Sequence, residues 1–215
     1  MVLKLYGFPS ATCTQRVATV LHEKNVPFEL IPVDITKGEQ KNEEYLKKQP
    51  FGQIPVLDDD GFLVYESRAI ASYIADKYAD QGTRLIPTDL KAKAHHTQAV
   101  SVEMSNFNPH ASNLVLEKIF KKLRGLEVDE AAVSKHASAL DTKLNGYERI
   151  LSTQKYLAGN ELTIADLYHL PYGALLYDAG YGHLIDERPN VKRWFDGLRS
   201  RDSWTAVKDG VKGTA

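Results

Sequence analysis

The sequence predicts an α/β domain followed by an all-helical one. Three observations carry that expectation. The chain opens with strand, helix and strand in quick succession; an apolar hairpin turns at Asp60-Gly61; and beyond residue 89 only helical periodicity appears.

Taken in order, residues 2–6, VLKLY, alternate like a strand, and Gly7-Phe8-Pro9-Ser10 reads as a turn. From Thr12 the apolar positions Val17, Val20 and Leu21 recur at helical spacing as far as Asn25, and residues 28–33 form a second strand. Strand, helix and strand within about thirty residues make a βαβ unit with a right-handed crossover. Residues 34–48 are polar, with a short helix expected over 40–47. Ile54-Pro55-Val56-Leu57 is a strand entered through a proline, which suits an edge or a turn and permits a cis bond. Asp60-Gly61 is a tight turn, Phe62-Leu63-Val64 returns, and Glu66-Ser67 opens a helix with Ala69, Ile70, Tyr73 and Ile74 on helical spacing. Residues 1–79 thus form the first domain, and 80–89, with Gly82 and Pro87, a linker. Residues 90–215 form the helical domain. Its first helix spans 91–120, with Met104, Phe107, Ala111 and Leu114 on one face, and a second spans 128–151. Thr163 and Asp166 start a third as a capping pair, and 191–198 and the segment around Trp204 close the chain.

Composition narrows the function classes. The 215 residues are 43% hydrophobic and 26% charged with net charge −1, so no electrostatic footprint for nucleic acid or an anionic membrane is present. No apolar run is long enough to span a bilayer, and the first residues lack a signal-peptide pattern. A single cysteine, Cys13, excludes an internal disulfide framework and fits a reducing compartment, hence a cytoplasmic protein. His95 and His96 are adjacent and cannot share a helix face, so no metal site is expected.

Residues 52–68 concentrate the binding chemistry. A bend at Pro55 leaves the backbone N–H and C=O of Ile54 outward and free for a peptide-like ligand, and Ser67 at a helix start is ready for an anion. The segment Gln49-Pro50-Phe51-Gly52-Gln53-Ile54-Pro55, with Tyr65-Glu66-Ser67-Arg68-Ala69-Ile70, resembles the hallmark of cytosolic glutathione transferases, most of all the phi class of plants and fungi. The likeness runs along the whole chain. It implies a thioredoxin-like first domain and glutathione as co-substrate. Glu66 and Ser67 would hold the γ-glutamyl end, the Ile54 backbone at Pro55 the cysteinyl amides, and Gln53 the tripeptide backbone. Gln40 and Lys41 stand where the family has a His-Lys pair for the glycine carboxylate.

Only a few per cent of a free thiol with a pKa near ~8.5 is ionised at neutral pH, so a conjugating protein must stabilise the thiolate. The family uses a serine in the pattern S-T-x-x-x-R; counted back from Arg16, that position is Ala11. Thr12 and Ser10 are then the candidate catalytic hydroxyls. Thr12 with Gln15 also spells a capping box, a role compatible with donating its proton. Cys13 lies past the position of catalytic cysteines in related thiol-exchange enzymes and reads as a packed thiol. Phe8, Met104, Phe107 and Tyr177 are candidates for the second-substrate pocket, expected between the first-strand loop and the long helix. Phe51 matches the aromatic plug of the family's C2 homodimer. Three readings stand: a transferase adding the thiolate to hydrophobic electrophiles, with peroxide reduction as a second reaction; a carrier of small hydrophobic ligands on the same fold, favoured by Ala11; and a thiol-exchange or peroxide-reducing enzyme working through Cys13.

Overall fold

Alternation in the first strand sets the sheet. In β1 (Leu3–Gly7), Leu3, Leu5 and Gly7 are buried while Lys4 points to solvent. α1 (Thr12–Glu23) lays Val17, Val20 and Leu21 into the same core. β2 (Phe28–Pro32) then returns parallel to β1 with Leu30 opposite Leu5. After a 3-10 turn at Glu39–Lys41 and α2 (Glu43–Leu46), the chain enters β3 (Val56–Asp59), antiparallel to β1 with Leu57 opposite Leu5. Asp60 and Gly61 both take positive φ, 54° and 88°, as a two-residue hairpin of right-handed strands demands. They lead into β4 (Phe62–Tyr65) and α3 (Ser67–Lys77). The strand order is β2-β1-β3-β4. The structure, a computed structural model, describes residues 2–215.

α1 and α3 pack against each other, with Ile70, Ala71 and Ile74 fully buried. A smaller apolar cluster of Val33, Tyr45 and Val56, flanked by Tyr6, Ile54 and Leu63, forms around the loop that carries α2. Each large apolar side chain so buried contributes roughly 1.5–3 kcal/mol.

The helical unit begins with α4 (Leu90–Val102), whose first N–H groups are capped by Asp89. The continuous helix expected over 91–120 is interrupted twice. π-helical turns at Glu103–Phe107 and Leu116–Phe120 separate α4, α5 (Asn108–Val115) and α6 (Lys121–Leu123). α7 (Glu130–Leu151) is capped by Asp129, and α8 (Ile164–Leu167), α9 (Leu170–Asp178), α10 (His183–Asp186) and α11 (Pro189–Arg199) complete the unit. The capping pair is present: Asp166, fully buried, accepts from the N–H and hydroxyl of Thr163, the N–H of Leu157 and Nε1 of Trp194. Burial pushes its carboxyl above the ordinary range, and these donors are what allow it to reside there.

The boundary differs from the expected 90–215. One unit runs through Ile86 and includes Arg201–Ala215; the other is Pro87–Ser200. The tail, with α12 (Asp202–Thr205), is fastened to the α/β unit by polar contacts that hydrophobic periodicity does not register. Gln15 donates to the carbonyls of Val207 and Lys208, Val211 N–H reaches Pro9 C=O, and Thr214 N–H reaches Phe28 C=O. Residues of the expected linker are held too, since Thr83 N–H donates to Glu23 C=O.

Glu23 gathers these ends. It accepts from Arg201 Nη2 at 2.9 Å and from the hydroxyls of Ser203 and Thr83, each at 2.6 Å. Burial pushes this carboxyl up, but those donors outweigh it and hold it below the ordinary carboxylate range. A carboxyl depressed in the folded state stabilises in full above its unfolded pKa of ~4.3 and loses that contribution as pH falls through the folded value. Urea unfolding of Glu23→Gln is therefore expected to show a deficit of about 1–3 kcal/mol at neutral pH that shrinks below pH ~4. A deficit that stays constant into acid would contradict this.

Candidate active site

Two helix N-termini meet through one side chain. Arg16 on α1 is 1% exposed, and its Nη1 donates to Ser67 Oγ at the first position of α3, 3.0 Å away, and to Cys13 Sγ at 3.3 Å. Each helix begins uncapped. The N-cap of α1 is Ala11, with no side-chain cap bond, and the N–H groups of Thr12, Cys13 and Thr14 find no acceptor among the described residues. The N-cap of α3 is Glu66, also without a side-chain cap bond. Uncapped N–H groups at a positive dipole end form an anion site.

The capping box expected of Thr12 and Gln15 is absent. Thr12 is the first helical residue, one place too late to cap, and the Gln15 amide is spent on the tail carbonyls. The Thr12 hydroxyl therefore carries no hydrogen bond among the described residues and stays available as a donor. Ser10 is exposed, in a turn closed by Ala11 N–H to Phe8 C=O at 3.0 Å.

The opposite wall is the turn before β3. The Ile54–Pro55 peptide is cis, and neither the N–H nor the C=O of Ile54 is hydrogen-bonded among the described residues. Gln49, 1% exposed, shapes the turn by accepting from the N–H groups of Phe51 and Gln53. Gly52 has φ 60°, and a Cβ there would stand 2.8 Å from Gln40 C=O and 2.7 Å from the Lys41 side chain. Only glycine allows the Gln40–Lys41 turn to lie against this segment. Lys41 Nζ donates to Phe51 C=O at 3.0 Å, and Gln53 is exposed. Glu66 takes φ 69°, a sparsely populated conformation for a non-glycine residue, and its side chain is exposed.

Of the second-substrate candidates, Phe8 is half-buried and Met104, on the first π turn, is 54% exposed. Phe107 and Tyr177 have other work. Phe107 is 2% exposed with its ring 4.7 Å from His169, inside a cluster with Tyr147 and Trp194. Tyr177 stacks on Phe195 and donates to Asp186 at 2.9 Å. Their helical spacing reflects the core of their own unit. Phe51 is 64% exposed, in edge contact with Tyr65. No cluster of potential metal ligands exists among the described residues.

Sequence reasoning used Arg16 only as a counting mark and passed over Gln49. An arginine on the apolar stripe of α1 was the available signal for the first; for Gln49, beside a proline turn, spacing gave none.

Cys13 is half-buried and its thiol stands lower than an ordinary cysteine. Burial pushes the thiol up, but the Arg16 guanidinium and hydrogen bonds from Ser67 and Arg16 outweigh it.

Two family models match the chain: "Glutathione S-transferase, N-terminal domain" over residues 1–76 and "Glutathione S-transferase, C-terminal domain" over residues 94–202. Among curated relatives, glutathione S-transferase hmp2 of Hypomyces subiculosus is 48% identical over 95% of this chain and 96% of its own. Glutathione S-transferase PM239X14 of Arabidopsis thaliana is 48% identical over 91% of this chain and 90% of its own. The crystal structure of glutathione transferase F7 from Populus trichocarpa superposes with a TM-score of 0.94 at 43% identity, covering 97% of this chain and 98% of that one.

The Arg16–Cys13–Ser67 contacts give a direct test. Iodoacetamide alkylation of Cys13, followed by mass spectrometry, is expected to have a pH midpoint below ~8.5 that moves upward in Ser67→Ala. An unmoved midpoint would remove Ser67 from the network.

Proposed function

The chain belongs to the glutathione S-transferase family, and from that premise we propose how its residues carry the reaction. The protein is a glutathione transferase of phi-class type, with glutathione as co-substrate. The observation that carries the residue assignment is the uncapped start of α1 beside Ser67.

The γ-glutamyl carboxylate meets Ser67 and the N–H groups of α3, while the Glu66 carboxylate takes the ammonium. The free N–H and C=O of Ile54, before Pro55, pair with the cysteinyl amides. Gln53 contacts the tripeptide backbone, and Lys41, beside Gln40, attracts the glycine carboxylate. The cysteinyl sulfur then lies at the start of α1, where the dipole and the Thr12 hydroxyl stabilise it as thiolate. That thiolate attacks the electrophilic carbon of an apolar substrate, forming a C–S bond as the leaving group departs with its electron pair. Phe8, half-buried in the loop before α1, supplies apolar surface for that substrate. Ser10 is the lesser hydroxyl because it belongs to the preceding turn.

Initial rates of glutathione addition to a chlorinated nitroarene, above an enzyme-free blank, test this. A hydrogen bond to a charged group is worth about 1.5–3 kcal/mol, so Thr12→Ala is expected to lower kcat/KM by roughly 10–100-fold and Ser10→Ala by much less. Equal small losses would shift the role to the backbone N–H groups.

Assembly as a C2 homodimer is part of the same proposal, supported by the exposed Phe51 ring on its turn. Phe51→Ser is expected to convert the dimer to monomer in light scattering behind size exclusion; an unchanged mass would assign Phe51 to its own chain. No helix among the described residues is long and apolar enough to cross a membrane. The lone free cysteine supports a reducing, cytoplasmic location.

A further inference from the structure

Two histidines face each other between α5 and α7 with nothing else to bond. The two helices pack together inside the helical unit. His110 Nδ1, from α5, and His136 Nδ1, from α7, are 3.3 Å apart. Their ring centroids are 5.6 Å apart and the ring planes are inclined at 46°. Both side chains are half-buried, and neither ring has another hydrogen-bond partner among the described residues.

A hydrogen bond alone accounts poorly for this spacing. Two neutral imidazoles can share only one proton between those nitrogens, and 3.3 Å is long for a bond of that kind. Metal coordination matches it better. Zn2+ holds an imidazole nitrogen at about 2.0–2.1 Å, and a tetrahedral angle then sets two such nitrogens about 3.3–3.4 Å apart. The right-angled pair of a square-planar ion would need about 2.8–3.0 Å. The surroundings also keep the pair ready to ligate. Burial lowers the His110 pKa, and the charges of His136, Lys143 and Lys135 lower it further. An imidazole must be neutral to bind a metal, so less affinity is lost to competing protons. The two lysines oppose a dication, but both are exposed, and water and salt screen their field.

We propose that His110 and His136 form a two-histidine site for Zn2+, which bridges α5 to α7 with its remaining positions held by water. No third protein ligand stands beside them among the described residues, so the site is open and exchangeable, unlike the four-ligand sites that fold small domains. Each ring carries its proton on Nε2 while Nδ1 ligates. Bound zinc ties together residues 26 positions apart, and by linkage it stabilises the folded chain. Neither histidine enters the glutathione cradle, so the proposal does not depend on the thiolate assignment above.

The test is equilibrium dialysis of the full chain, free of glutathione and of any affinity tag, against zinc chloride, with bound metal counted by plasma mass spectrometry. One zinc per chain is expected. His110→Gln and His136→Gln should each weaken binding at least 10-fold, since losing even an outer partner of a ligand costs about 10–100-fold. Conjugation rates in both variants should stay at the parent level. Cys13→Ser and His95→Gln should bind zinc as the parent does. Zinc should raise the melting temperature of the parent and leave that of either glutamine variant in place. Nitrogen-15 spectra of the histidine rings read the same event in the unaltered chain: two of its seven histidines should shift with Nδ1 ligation. No zinc uptake, parent affinity in either glutamine variant, loss of binding in Cys13→Ser, or ring shifts at other histidines would each overturn the proposal.

Discussion

The hydrogen bond from Arg16 to Ser67 is the constraint on which the site depends. A guanidinium 1% exposed must be paired, because an unpaired buried charge costs far more than any packing around it returns. Pairing it with Ser67 and Cys13 draws the first turn of α1 against the first turn of α3. Both helices leave their starts uncapped: Ala11 has no side-chain acceptor, and the Glu66 side chain makes no cap bond. Two unquenched positive helix ends therefore stand side by side, which suits a ligand with a carboxylate at one end and an ionisable thiol further along.

The remaining cradle follows from a second constraint, the close approach at Gly52. With φ 60° and the Gln40 carbonyl 2.8 Å from where a Cβ would be, this position brings the Gln40–Lys41 turn onto the 49–53 turn. Gln49 then fixes that turn from inside by accepting from Phe51 and Gln53. The free peptide groups of Ile54 and the exposed Glu66 carboxylate are presented on either side of β3 and β4.

Proximity in the chain is why the local turns and caps could be read from sequence. Local signals, such as the hairpin at Asp60-Gly61, the Ile54-Pro55 bend, and the T-x-x-D pair at Thr163 and Asp166, describe interactions among residues close in the chain, and each is present. Interactions between distant residues were not legible. The tail from Arg201 is tied to α1 by Gln15 and Glu23 across nearly the whole chain, through polar bonds that no periodicity encodes. Thr12 shows a subtler limit. The capping pattern with Gln15 was a fair local reading, but the distant carbonyls of Val207 and Lys208 take the Gln15 amide, and Ala11 occupies the N-cap. Phe107 and Tyr177 mark a third, since helical spacing finds a buried face without saying whether a ligand or the core fills it.

Ala11 is central to the account. With alanine at the N-cap of α1, no side chain caps its first N–H groups, and these with the Thr12 hydroxyl are the donors proposed for the sulfur. The most direct measurement is the ionisation of glutathione's thiol while bound, followed by thiolate ultraviolet absorbance across pH, in the parent protein and in Thr12→Ala. The account predicts a bound-thiol pKa below the free value of ~8.5 that moves back up when the hydroxyl is removed. A bound thiol that titrates like free glutathione, or one that titrates identically in both proteins, would contradict it.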